Sequence, residues 1–141
     1  MSPKDEKLEM LAAVPLFADL GKKELLRVGQ LTDVMDLSSG RVLMRQGETG
    51  SEMMVLLDGT VSVQRDGAMI AERGPGEVLG EMALLSDAPR SATVTLTSDA
   101  RLLVVARREF NALMDEMPSV RAQIMESLAR RLMASEVSAG H

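Results

Sequence analysis

Between Thr32 and Ala106 the sequence is cut by glycine every few residues, at Gly40, Gly47, Gly50, Gly59, Gly67, Gly74 and Gly76. Each glycine costs a helix interior about 1 kcal/mol relative to alanine, so helices of ordinary length are excluded there. What lies between the glycines is β-type: Val34–Leu37, Arg41–Arg45, Glu52–Leu57, Thr60–Arg65, Ala68–Arg73, Ser91–Thr97 and Arg101–Ala106. Asp58-Gly59 and Asp66-Gly67 are hairpin signals, because both central residues of a tight type I′ turn need positive φ. Gly74-Pro75-Gly76 forces a sharp loop. Short strands at this spacing predict an antiparallel sandwich or roll.

The flanks are helical. Lys4 to Ala13 places Leu8, Leu11 and Ala12 on one helix face, and Pro15 stops it. Leu16, Phe17 and Leu20 form an apolar corner before a second helix, Lys22 to Gln30. After Ala106, Phe110, Leu113 and Met114 recur at helical spacing until Pro118. Ser119 then begins a longer helix whose apolar stripe runs through Val120, Ile124, Leu128 and Leu132. The expected class is α+β, mainly β, in one domain: a helical segment over 1–31, a β-roll over 32–106 and C-terminal helices over 107–137.

One stretch breaks the strand texture. Gly80–Leu85 is apolar without alternation, which suits a short helix, and Asp87-Ala88-Pro89 is a turn before Arg90 opens the next strand. A helix start leaves backbone N–H groups free, and free amides attract anions. Arg90 adds a planar, permanently charged fork suited to phosphate oxygens. Glu81 cannot share that phosphate, since like charges repel, and a sugar hydroxyl is its natural partner. Bland alternatives exist for each residue: a surface arginine after a turn proline, and a first-turn glutamate favoured by the helix dipole.

Together Gly80-Glu81-Met82-Ala83-Leu84 and Pro89-Arg90-Ser91-Ala92-Thr93 resemble the phosphate-binding cassette of cyclic nucleotide-binding domains. The resemblance extends from about Val14 to the C-terminal helix. It implies a β-roll whose later strands are interrupted by the cassette, here residues 80–92. It gives Arg90 the phosphate, with Gly80 and the amides of Met82 and Ala83 cradling its exocyclic oxygens, and gives Glu81 the ribose 2′-hydroxyl. A threonine at the position of Ser91 goes with guanine preference in this family. Serine admits both purines, with cAMP favoured over cGMP. Val61 and Leu79 are placed at the base end of the pocket, while Val63 is left in the core. The last helix is expected to act as a lid or dimerisation element, with Arg130, Arg131 and Leu132 as candidates to cap the base, or else to pack its stripe on the roll without moving.

Composition removes several other functions. Sixteen basic against 21 acidic residues give a net charge of −5, the wrong sign for a general nucleic-acid or anionic-membrane surface. There is no cysteine, and the one histidine is His141 at the very end, so a thiolate metal site, zinc ligation and imidazole catalysis have almost no material. That also removes a cupin-like metalloenzyme on the same roll. No apolar run approaches the ~20 residues of a membrane helix, and Met1 to Met10 is too polar for a secretory signal. A cytoplasmic, non-catalytic protein without cofactor is expected. Catabolite-activator-type relatives continue into a DNA-reading helix-turn-helix, whereas this sequence stops at His141, so direct DNA binding is not expected.

Two readings follow. One is a sensor that binds a cyclic purine nucleotide and signals through its C-terminal helix to an effector or to a second copy in a homodimer. The other is a ligand-independent scaffold that keeps the roll and recognises proteins through its terminal helices. A scaffold has no physical need for both Glu81 and Arg90, which favours the sensor.

Overall fold

A computed structural model describes residues 3–139. The described strands form two four-stranded antiparallel sheets. The first contains β1 (Asp33–Leu37), β3 (Glu52–Asp58), β6 (Val78–Leu79) and β8 (Ala100–Ala106), in the order β1-β8-β3-β6. The second contains β2 (Val42–Met44), β4 (Val61–Arg65), β5 (Ala68–Arg73) and β7 (Thr93–Leu96), in the order β2-β7-β4-β5. Together with the helices this is the mainly β, α+β roll that the sequence predicts.

The two central strands of the first sheet explain themselves through period-2 alternation. On β3, Met54 and Leu56 join a core built from both sheets, while Met53 and Val55 join a core shared with the helices. On β8, Leu102 and Val104 take the first side and Leu103 and Val105 the second. Both faces are covered, which is why these strands read as unbroken apolar runs rather than alternating ones.

Helices α1 (Pro3–Ala12) and α2 (Lys22–Leu31), with a single 3-10 turn at Pro15–Phe17 between them, precede the sheets. Helices α4 (Arg107–Glu116) and α5 (Pro118–Ala139) follow. Phe17, Val28, Phe110, Leu113, Val120 and Ile124 pack into the core shared with the first sheet. Each large side chain so buried contributes about 1.5–3 kcal/mol. Pro118 opens α5, the position where its missing N–H costs nothing.

Two expectations need correction. Asp66 (φ 54°) and Gly67 (φ 80°) make the expected turn between β4 and β5, but at Asp58-Gly59 only the glycine has positive φ, 99°. That dipeptide is no hairpin, because β3 and β4 lie in different sheets. The glycine is required there by close approach: a Cβ on Gly59 would sit 2.6 Å from the Asp99 carbonyl oxygen. The second correction is β6, a two-residue strand pairing Leu79 with Met54 and Val78 with Val55. Two residues are too few to show a period.

Exposed ion pairs tie the elements at their edges. Arg27 of α2 makes a two-pronged contact with Glu116 of α4, at 2.8 and 2.9 Å. Arg101 of β8 makes another with Asp36 of β1, at 2.7 and 3.1 Å. Hydrogen bonds from these arginines hold both carboxyls below their usual range. A depressed carboxyl contributes stability that is present above its unfolded pKa and lost as pH falls through the folded value. The thermal midpoint should therefore fall as pH drops below about 4, the ordinary carboxylate range. Glu116→Gln should flatten part of that fall, and an identical acid profile in the variant would contradict the assignment. The effect is small, since both pairs face water.

Candidate ligand-binding site

Strand β6 delivers the chain straight into Gly80, whose φ of 81° and ψ of 9° turn it into helix α3 (Glu81–Ser86). Only glycine takes this left-handed conformation freely. The helix ends at Asp87, also left-handed at φ 56°, which an aspartate tolerates better than most residues. The chain then returns along the β2–β3 loop. The Arg90 amide donates to the Glu48 carbonyl and the Arg90 carbonyl accepts from the Gly47 amide, both at 2.8 Å.

That backbone pairing fixes where the Arg90 side chain goes. Its Nη1 donates to the Gly80 carbonyl at 3.0 Å and its Nη2 to the Glu52 carbonyl at 2.7 Å. The residue is only 8% exposed. Burial pushes the guanidinium pKa down, Glu52 and Glu81 oppose that, and the neighbouring cation Arg107 adds to it. An arginine remains charged throughout. Two of its five N–H donors are taken by these carbonyls, and the residue also lines the adjoining cavity.

The cavity has a volume of about 730 Å³ and is lined by α3, β4, β5 and the start of β7. Leu79, Gly80, Glu81, Met82, Ala83, Arg90 and Ser91, all named from sequence, converge on it. Glu81 is 1% exposed and near enough for its charge to act on the Arg90 guanidinium. Across the cavity, Arg65 donates from Nε to the Ser91 carbonyl at 3.1 Å, tying β4 to the segment after α3.

Val61 is a correction. It is fully buried between the sheets and does not line the cavity, whereas Val63 does. Ile70 and Ala71 line it as well. Adjacent strand residues normally point to opposite faces, but the register runs Val63 to Ala71 and then Gln64 to Met69. Ile70 is thus the extra residue of a β-bulge, and a bulge re-aims side chains. Sequence reading missed Met44, Arg65, Ile70, Ala71 and Arg73. A bulge and a long-range wall leave no local pattern to find.

Of the lid candidates, Arg130 lines the cavity. Leu132 does not and is 48% exposed, because burial along the α5 stripe fades after Ile124. The Arg131 side chain lies outside those described, as does His141. Helix α5 also contacts α3. The lining carries Arg65, Arg73, Arg90 and Arg130 against the single carboxylate Glu81. A chain of net charge −5 thus presents a locally positive hollow. Among the described residues no acidic, histidine or cysteine cluster suits a metal ion, and no helix is long and apolar enough to cross a membrane.

Residues 34–117 match the model of the cyclic nucleotide-binding domain, and the chain belongs to that family. It is 35% identical over 131 residues to a cyclic nucleotide-gated potassium channel of Mesorhizobium japonicum, covering 93% of this chain and 36% of the channel. Among solved structures it is similar to the Thermus thermophilus catabolite activator protein (TM-score 0.79, 30% identity), covering 89% of this chain and 61% of that one. Cyclic AMP-bound PfPKA-R shares the fold (TM-score 0.81, 21% identity), covering 96% of this chain and 47% of that one. The chain spans between 9 and 39% of the length of these curated relatives, about a third for the channels of Mesorhizobium japonicum and Rhizobium etli. What these residues form is a cyclic nucleotide-binding regulatory domain.

Proposed function

We propose that this domain is a non-catalytic cytoplasmic sensor whose pocket takes a cyclic purine nucleotide and whose output passes through α5. The observation that supports it most is the pairing of a buried guanidinium with a buried carboxylate on one hollow. The Arg90 guanidinium and the amides of Met82 and Ala83 receive the ring phosphate, with Gly80 letting it approach the backbone. Glu81 accepts from the ribose 2′-hydroxyl. The base lies toward Val63, Ile70 and Ala71, with Ser91 beside it and Leu79 below. A serine hydroxyl serves either purine, and cAMP is our preferred ligand.

Arg130 lines the cavity, and in this reading α5 closes further over the base when ligand binds. Ligand favours that closed state only through differential affinity. Met125, Leu132 and Met133, exposed by 50, 48 and 65%, then change their surroundings. A second copy, an effector or another part of a longer chain would read that change. DNA binding is not part of this reading.

Calorimetric titration with cAMP and cGMP tests the proposal, and absence of heat from both would end it. Because the sequence has no Tyr or Trp, co-purified nucleotide should also dominate the ultraviolet absorbance at the purine band. The ribose contact has its own test. Wild type should bind cAMP about tenfold or more tighter than its 2′-deoxy analogue, one charged hydrogen bond being worth about 1.5–3 kcal/mol. Glu81→Gln should collapse that ratio toward one. Equal discrimination in the variant would move the ribose elsewhere.

A further inference from the structure

Among the described strands, β5 lies at the edge of its sheet and pairs only with β4. Its outer positions are open, with Met69 57% and Ile70 49% exposed. A strand held along one side is among the first parts of a fold to open. Yet Ile70, Ala71 and Arg73 of this strand supply one wall of the cavity.

The tip of the β4–β5 hairpin is fastened at two places, both on the side of the anion site. Gln46, in the β2–β3 loop, holds Asp66 with both ends of its amide. Its Nε2 donates to Asp66 Oδ1 and its Oε1 accepts from the Asp66 backbone amide, each at 2.9 Å. Arg65, one residue earlier, is the side chain already bonded to the Ser91 carbonyl. Gln46 is itself pinned, since its backbone amide donates to the Thr93 hydroxyl at 3.0 Å. The next residue, Gly47, donates to the Arg90 carbonyl at 2.8 Å. Three short steps thus join the two sides: Arg90 to Gly47 by the backbone, Gly47 to Gln46 along the chain, and Gln46 to the hairpin turn by its side chain.

We propose that Gln46 is a positioning residue for base recognition, whose clamp on Asp66 sets how far the Ile70–Ala71 wall stands from Arg90. The base of a cyclic nucleotide is joined to its phosphate-bearing rings by a single bond. Fixing the phosphate therefore leaves the base a narrow choice of places. A wall already held at that distance receives the base without being ordered at the moment of binding, which would otherwise cost affinity. Glutamine suits the task because one planar group carries both a donor and an acceptor. Gln46 does not line the cavity, so it acts only through the hairpin. This rests on the reading of the cavity as a cyclic nucleotide site.

Two variants test it. Gln46→Met keeps the length of the side chain and removes both hydrogen bonds, whereas Asp66→Asn keeps an acceptor for Gln46 and tolerates the left-handed turn. Without nucleotide, Gln46→Met should speed amide hydrogen exchange in the turn and β5 by about fivefold, two modest hydrogen bonds being lost, and leave α3 unchanged. Competition calorimetry then compares cAMP with ribose 3′,5′-cyclic phosphate, the same rings without a base. Gln46→Met should bind cAMP about fivefold more weakly and the base-free phosphate as well as wild type does, while Asp66→Asn should match wild type throughout. A merely structural role would weaken both ligands together, so parallel losses overturn the proposal. Unchanged cAMP affinity, unchanged exchange in β5, or a wild type that ignores the base-free phosphate overturns it too. A wild type that binds neither ligand ends the reading of the cavity itself.

Discussion

Arg90→Ala is expected to weaken cyclic nucleotide binding by roughly 10²- to 10⁴-fold. Each hydrogen bond between charged groups is worth about 1.5–3 kcal/mol, and a guanidinium grips a phosphate through two at once. Two such bonds amount to about 3–6 kcal/mol, against about 8 kcal/mol for micromolar affinity as a whole. Arg90→Lys should recover little of the loss, since one ammonium cannot hold the Gly80 and Glu52 carbonyls and still present a fork to an anion. The folded state should lose far less. Of the two orphaned carbonyls, that of Gly80 belongs to the cavity lining, where water can replace the missing donor, so about 1 kcal/mol is expected by chemical denaturation. Calorimetry on the variant beside wild type decides the matter. A dissociation constant that stays within threefold would remove Arg90 from the anion site.

The cassette was legible because its meaning is local. A glycine that must turn left-handed, a carboxylate in the first turn and an arginine after a proline all act within a dozen residues, and their spacing in sequence carries the geometry. The hairpin at Asp66-Gly67 was legible for the same reason. The far wall of the cavity was not. Val61 and Val63 share a strand face in any alternating pattern, but the interior claims Val61, and nothing in the strand itself says which of the two stops at the cavity.

Ile70 is harder still, since its orientation depends on one unmatched residue between β4 and β5. Asp58-Gly59 shows the opposite failure. A strong turn dipeptide was used for a crossing between sheets, where Gly59 answers to crowding by Asp99 and Ala100. Arg65, Arg73 and Arg130 were diluted in a composition that is acidic overall, though folding gathers them on one hollow.

The same distinction between local and distant constraint separates two glycines of the β2–β3 loop. Gly47 has φ of 87°, and a Cβ there would meet nothing within 4 Å. Gly47→Ala should therefore cost about 1 kcal/mol of stability through left-handed strain and leave nucleotide affinity near wild type. Gly50 is the reverse. Its φ is ordinary, but a Cβ would lie 2.6 Å from the Ala83 Cβ and 2.9 Å from the Arg90 Cζ and Nε. Contacts that short cannot persist, and neither neighbour is a free side-chain end: Ala83 is anchored in α3, and the guanidinium is fixed by two carbonyls.

Gly50→Ala should thus displace α3 or Arg90 and weaken nucleotide binding by tenfold or more, with about 1–3 kcal/mol lost from the fold by overpacking. Ala83→Gly in the same chain removes the closer of the two clashes and should restore part of both losses. Paired thermal unfolding with and without cAMP measures the two effects together. Equal nucleotide stabilisation of the Gly47→Ala and Gly50→Ala proteins would mean that the space beside Gly50 does not govern how Arg90 is held.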